Sequence, residues 1–300
     1  MPDHRHWSGR TDGLPWMQRS LIALLRVLDV RVLYGVMALV IPGYMLFARR
    51  ARRAAYAYHR LRRGLGPVAA TVGVYRSMYG LGQVVLDRFA AYAGRTFRLD
   101  TAGHEAWHAL AEAPGGFLQV SSHAGNFELT GYELRSERKP VYALVYGGET
   151  ETMMRNRERL LARHNIRMVP VAADMAHVFT LSNALQGGAI VSMPGDRLFG
   201  SQKAVACPLL GAPARFPLGP FALAVTCGVP AVALFTMKEG AYRYRLLTYR
   251  LDDDPSLPAR ARMERLARAY AAAFDDVLGR YPYQWYNFYD FWEPAAEDQT

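Results

Sequence analysis

With 300 residues, half of them apolar, the chain can bury one large core or two small ones, which excludes disorder as its general state. Its formal charge of +10 is concentrated: residues 1–100 hold 16 Arg, no Lys and 5 acids, against 20 basic and 21 acidic residues in 101–300. The two cysteines, Cys207 and Cys227, lie outside any metal-ligand spacing, which excludes a disulfide framework or zinc ribbon and suits a reducing, cytoplasmic setting.

The first residues, MPDHRHWSGRTDG, lack the basic start, apolar middle and cleavage site of a secretory signal. Residues 20–32 then form a basic amphipathic stretch suited to lie along a membrane interface. From Val32 to Ala48 no residue is charged, with Arg31 before the run and Arg49, Arg50, Arg52 and Arg53 after it. A span needs about 20 apolar residues, and Pro42-Gly43 interrupts this run, so it reads either as a crossing or as a hairpin or interfacial anchor. A buried core helix is the third reading, against which the flanking arginines argue. With Arg60, Arg62 and Arg63, these suit anionic lipid headgroups, each contributing about 1 kcal/mol at such a surface, and place the bulk of the chain on the cytoplasmic side. The apolar residues among them favour a lipid partner over nucleic acid.

Residues 1–95 are therefore expected to form an N-terminal helical membrane anchor, and 96–300 an α/β domain. Strands are expected at 117–121, 141–146, 168–171, 189–193, 231–236 and 242–249, from apolar alternation. Helices are expected at 101–113, 127–135, 150–164, 176–186, 218–227 and 258–280. Alternation of the two types predicts a mixed, largely parallel central sheet flanked by helices, with its site at the carboxyl ends of strands.

Two strand-end loops carry chemistry. The first reads Ser122-His123-Ala124-Gly125-Asn126-Phe127-Glu128, which sets His123 on the loop and Glu128 in the first helical turn, where the dipole favours a carboxylate. An acid on one imidazole nitrogen leaves the other to take a proton from a hydroxyl, and Glu128 is the expected acid. Small Ala124 and Gly125 allow close approach of a ligand, and the turn's N–H groups could stabilise an oxyanion. Spacing alone is weak, since 8 His and 26 acids in 300 positions give about 0.7 chance His-to-acid pairs at this separation. The second loop, Met193-Pro194-Gly195-Asp196-Arg197, is expected on the same edge, with Arg197 able to grip a phosphate or carboxylate.

The run HAGNFEL closely resembles the HxGNWEL motif of the lipid A late acyltransferases (lauroyl- and myristoyltransferases) of the lysophospholipid acyltransferase superfamily, with Phe127 in place of Trp. GDRLFG, TCGVPAVALF and Pro282-Tyr283-Gln284-Trp285 resemble later segments of that family, although Arg197 departs from its usual residue. The resemblance implies a glycerol-phosphate-acyltransferase-like fold and an inner-membrane enzyme. It further implies His123 and Glu128 as catalytic pair, and Gly125, Asn126, Asp196, Arg197 and Arg155 around the substrate. Acyl carrier protein is the implied donor, with acyl-CoA as alternative, and a lipid A-like hydroxyl the acceptor, with no cofactor or metal. Arg155 and Arg157 also read as a solvated helix face.

Other readings are open to the same residues. His104-Glu105-Ala106-Trp107-His108 matches the HExxH zinc pattern but lacks a third ligand at the usual spacing. Asp252-Asp253-Asp254 reads as an acidic turn. A lysophospholipid or amino-lipid acyltransferase would carry the same motif. A catalytically idle membrane scaffold predicts His123 and Glu128 out of hydrogen-bond reach.

Overall fold

The computed structural model of the chain describes residues 15–101, 105–133, 138–145, 151–162, 164–172, 174–198 and 203–292. His104 of the zinc-like pattern, Tyr146 of the strand expected at 141–146 and the outermost residues of several expected helices lie outside them.

Five helical elements open the chain: α1 (Pro15–Val27), α2 (Val30–Phe47), α3 (Arg49–Ala57), a π-helical turn (Tyr58–Arg62) and α4 (Pro67–Tyr92). The expected amphipathic stretch at 20–32 is split, because Asp29 caps α2 by accepting the Arg31 N–H at 2.8 Å. Helix α2 runs on through Pro42 and, alone among the described helices, is long and apolar enough to cross a membrane by length and composition. Its inner face packs on α4 through Ile41, Val74 and Met78, while Leu39 and Phe47 are more than four-fifths exposed, unlike a core helix.

The sheet has seven strands in the order β1 (Arg98–Asp100), β9 (Arg243–Leu251), β8 (Ala231–Lys238), β2 (Phe117–Ser121), β5 (Ile190–Pro194), β3 (Val141–Val145), β4 (Ile166–Pro170). Every pairing is parallel except β8 with β9, which gives the mixed, largely parallel sheet flanked by helices that the pattern predicts. Besides the short edge strand β1, which the expected strands lack, two features depart from expectation. A separate hairpin pairs β6 (Ala204–Leu209) with β7 (Ala212–Pro217) across Leu210-Gly211, both at positive φ as a tight primed turn requires. The 26-residue α4 falls within the expected helical region 1–95, which carries no separate bounds for it, and its end packs on the sheet.

Both sheet faces are covered, and side chains alternate between them with period two. Leu118, Val120, Ala233 and Phe235 join α9 (Gly219–Cys227) and α10 (Ala259–Arg280) through Phe221, Tyr270 and Phe274. Phe117, Val232 and Leu234 face the opposite way, under Phe89 of α4 and Trp107 of α5 (Glu105–Glu112). At about 1.5–3 kcal/mol for each buried large side chain, these two layers fix the central strands rigidly, and the site stands on their ends.

The N-terminal helices are tied to that sheet by a buried polar cluster. Asp87 of α4, fully buried, accepts hydrogen bonds from Tyr34 of α2, from Tyr244 of β9 and from the Lys238 ammonium of β8. A buried carboxylate is tolerated only when so satisfied, so this cluster sets how α2 and α4 sit on the sheet.

Candidate active site

Strands β2 and β5 lie side by side, with Ser121 opposite Pro194. Continuing each chain by two residues brings His123 opposite Asp196, and Gly195 prolongs the ladder by donating its N–H to the Ser121 carbonyl at 2.9 Å. A Cβ on Gly195 would stand 2.4 Å from Val120 and 2.9 Å from the Tyr270 ring, so only glycine lets this turn approach closely enough.

The outcome is a hydrogen-bonded acid and imidazole. His123 Nδ1 lies 2.8 Å from Asp196 Oδ1, and Asp196 Oδ2 accepts the His123 backbone N–H at 2.9 Å and the Trp285 indole N–H at 3.3 Å. Asp196 is fully buried, whereas the His123 ring keeps about a fifth of its side chain exposed. Phe127, more than a third exposed, meets the imidazole edge-on at 5.6 Å. The expectation that Glu128 turns the ring is thus corrected in geometry: the carboxylate on Nδ1 belongs to Asp196.

Glu128 instead organises positive charge. Its carboxylate accepts from the Tyr92 hydroxyl at 2.6 Å and from Arg157 at 3.0 and 3.2 Å, and forms an ion pair with Arg88 at 2.6 Å. Glu128 and Arg157 are both buried. Two guanidiniums around one carboxylate leave a net positive cluster contributed by α4, α6 (Phe127–Glu133) and α7 (Glu151–Ala162). Arg155, two residues from Arg157 on α7, is exposed, so the expected basic residue of this helix falls on its neighbour.

The loop holding His123 is fastened at each amide from His123 to Asn126. Ala124 N–H donates to Ser122 Oγ, Gly125 N–H to the Gln284 carbonyl at 2.7 Å, and Asn126 N–H to the Thr236 carbonyl at 2.8 Å. Gly125 adopts φ +63°, and a Cβ there would stand 2.1 Å from the Thr236 carbonyl oxygen, so a side chain would break the loop from β8. Asn126, buried, caps α6 by accepting the Leu129 N–H at 3.2 Å and donates to Tyr244 at 3.4 Å. Gly125 and Asn126 therefore shape the loop, and the amides of 123–126 are engaged within the protein instead of facing a substrate carbonyl. Arg197, half-buried, donates to the Tyr286 carbonyl at 3.2 Å and lies over the Tyr289 ring, which pins the C-terminal segment beneath the site.

Electrostatics follow the geometry. Burial holds the His123 ring below its ordinary value; Asp196 partly offsets this, and Arg197 and Arg88 reinforce it. Burial pushes the Asp196 carboxyl up, but the His123 ring and N–H together with Arg197 outweigh it and hold Asp196 below its ordinary value. At neutral pH the pair is carboxylate plus neutral imidazole. With the proton on Nδ1 given to Asp196, Nε2 is the basic nitrogen. Such a pair can take a proton from a hydroxyl, and the base is competent only when unprotonated. Activity is therefore expected to rise with pH through a midpoint below about 6.5 and to be level by neutrality. A kcat/KM profile from pH 4.5 to 8 checks this, and a midpoint above 7 contradicts it.

A family model described as bacterial lipid A biosynthesis acyltransferase matches residues 91–293, more than half of the chain and inclusive of every residue of this site except Arg88. No curated protein matches the chain.

Proposed function

Because the chain belongs to the bacterial lipid A biosynthesis acyltransferase family and is an acyltransferase, we propose that it moves a fatty acyl group from acyl carrier protein to a hydroxyl of a lipid A-like glycolipid at the cytoplasmic face of the inner membrane. The observation that carries this reading is the His123–Asp196 couple beside the exposed ring of Phe127. Nε2 of His123 takes the proton of the acceptor hydroxyl while the oxygen attacks the thioester carbonyl. The tetrahedral intermediate then expels the thiolate, which receives that proton from His123, so a C–O bond forms, a C–S bond breaks and no covalent enzyme intermediate arises. Arg88 and Arg157, oriented by Glu128, supply the positive field for developing negative charge and for phosphate on either substrate. On this reading His123 is the base, Asp196 its positioning residue, and Glu128 the residue that positions the two guanidiniums.

An idle scaffold framed on a separated His123 and Glu128 loses its force, since the imidazole has an orienting carboxylate in Asp196. Membrane attachment is supported by the exposed outer face of α2 and the arginines that follow it. Acyl carrier protein is favoured over acyl-CoA because the family resemblance leans that way, and an acidic carrier would also be drawn to the basic first third of the chain.

The test is transfer from radiolabelled acyl carrier protein, and separately from acyl-CoA, to a panel holding a lipid A precursor, a lysophospholipid and an amino-lipid. The label is expected in the glycolipid. Label confined to lysophospholipid or amino-lipid would assign the acceptor to those classes.

A further inference from the structure

A further cavity lies along α4, and none of its lining residues belongs to the His123 site. A half-open cavity of about 460 Å³ sits between α2, α3 and α4, lined by Met45, Arg52, Arg53, Tyr56, Thr71 and Val74. That volume is within the range of small-ligand pockets, about 300–1,000 Å³.

The lining is amphiphilic in a particular order. Arg52 is held by donating one guanidinium N–H to the Met45 carbonyl at 3.0 Å, which leaves other donors of its planar fork for an anion. Residues 30–86 contain nine Arg and no Asp or Glu, so this part of the chain brings no counter-charge of its own. Met45 and Val74 form the apolar wall, and outside it Leu46, Phe47, Val68 and Val72 are all more than half exposed. A soluble phosphate would use the arginines and leave this apolar rim in water. A phospholipid would use both, its phosphate against the guanidiniums and its chains along α2 and the start of α4.

We propose that the cavity between α2, α3 and α4 binds the phosphate headgroup of an anionic membrane phospholipid, separately from the reacting lipid. The proposal rests on the membrane-attached reading above and adds to it one discrete site. Such a lipid would fix the depth and tilt of α2 and, through the buried Tyr34–Asp87 contact, the seat of the helices on the sheet.

The experiment is native mass spectrometry of the full chain in non-ionic detergent with phosphatidylglycerol or phosphatidylcholine vesicles added at equal lipid concentration. One phosphatidylglycerol should be retained, at least about tenfold over phosphatidylcholine. The R52Q/R53Q variant should lose at least about tenfold of that retention, whereas R49Q/R50Q, with the same change of charge, loses less than about threefold. Thr71→Trp, which fills the cavity from an exposed position on α4, should mimic R52Q/R53Q without any charge change. Equal loss in the two arginine variants, equal retention of the two lipids, no retained lipid, or binding of inorganic phosphate that displaces the lipid would overturn the proposal. The His123→Ala enzyme should retain the lipid while losing transfer, which separates failure of this site from failure of the acyltransferase reading.

Discussion

Asp196→Asn should lower kcat by about 10³–10⁴-fold with little change in KM. The asparagine can still accept the His123 backbone N–H and the Trp285 indole N–H through its oxygen, so the turn keeps its shape. Its amide then faces His123 Nδ1 and donates where the carboxylate accepted. The imidazole proton is forced to Nε2, and the ring presents a donor to the acceptor hydroxyl in place of a base. Loss of the Asp196 charge also removes the interaction that favours the imidazolium, so the acid limb of any residual activity moves to lower pH. Single-turnover transfer with Asp196→Asn measures both effects. An unchanged rate would remove Asp196 from the mechanism.

Glu128→Gln should act differently, because this carboxylate balances two guanidiniums inside the protein. Glu128 keeps only 3% of its side-chain surface exposed and Arg157 8%, so solvent screens the pair little. Breaking such a buried pair costs about 3–5 kcal/mol, because the partner charges are left uncompensated. At about 2–4 °C per kcal/mol for a large domain, the melting temperature should fall by roughly 6–20 °C. Transfer should show a raised KM as Arg88 and Arg157 lose their alignment, while the acid limb stays below neutrality because the His123 ring remains buried. Scanning calorimetry with steady-state kinetics separates this from the alternative, in which Glu128→Gln leaves stability intact and abolishes kcat alone.

The contrast shows what the chain reveals locally and what only its fold reveals. The loop from Ser122 to Glu128 was legible because a strand, a small-residue turn and a helix start follow one another within a dozen residues, and the structure places them at Phe117–Ser121 and Phe127–Glu133. The partner of His123 was not, since Asp196 meets it only because β5 is the parallel neighbour of β2, and strand order is not written in either segment. Arg157 did leave a local trace. It falls three and four residues from Met154 and Leu161, on the face of α7 that turns inward, whereas Arg155 is on the outward face. Arg88 and Tyr92 left none, because α4 mixes small, aromatic and apolar residues on all sides and carries no acid until Asp87. The β6–β7 hairpin was hidden by Pro208, Pro213 and Pro217, which interrupt the alternation that marks strands, although its short strands tolerate them.

Everything in this account converges on one nitrogen of one ring. The direct measurement is single-turnover acyl transfer from labelled acyl carrier protein to the proposed glycolipid acceptor by the His123→Ala enzyme, folded as the parent. The account predicts a fall of about 10²–10⁴-fold with acceptor and donor affinities retained. Transfer at the parental rate would contradict it.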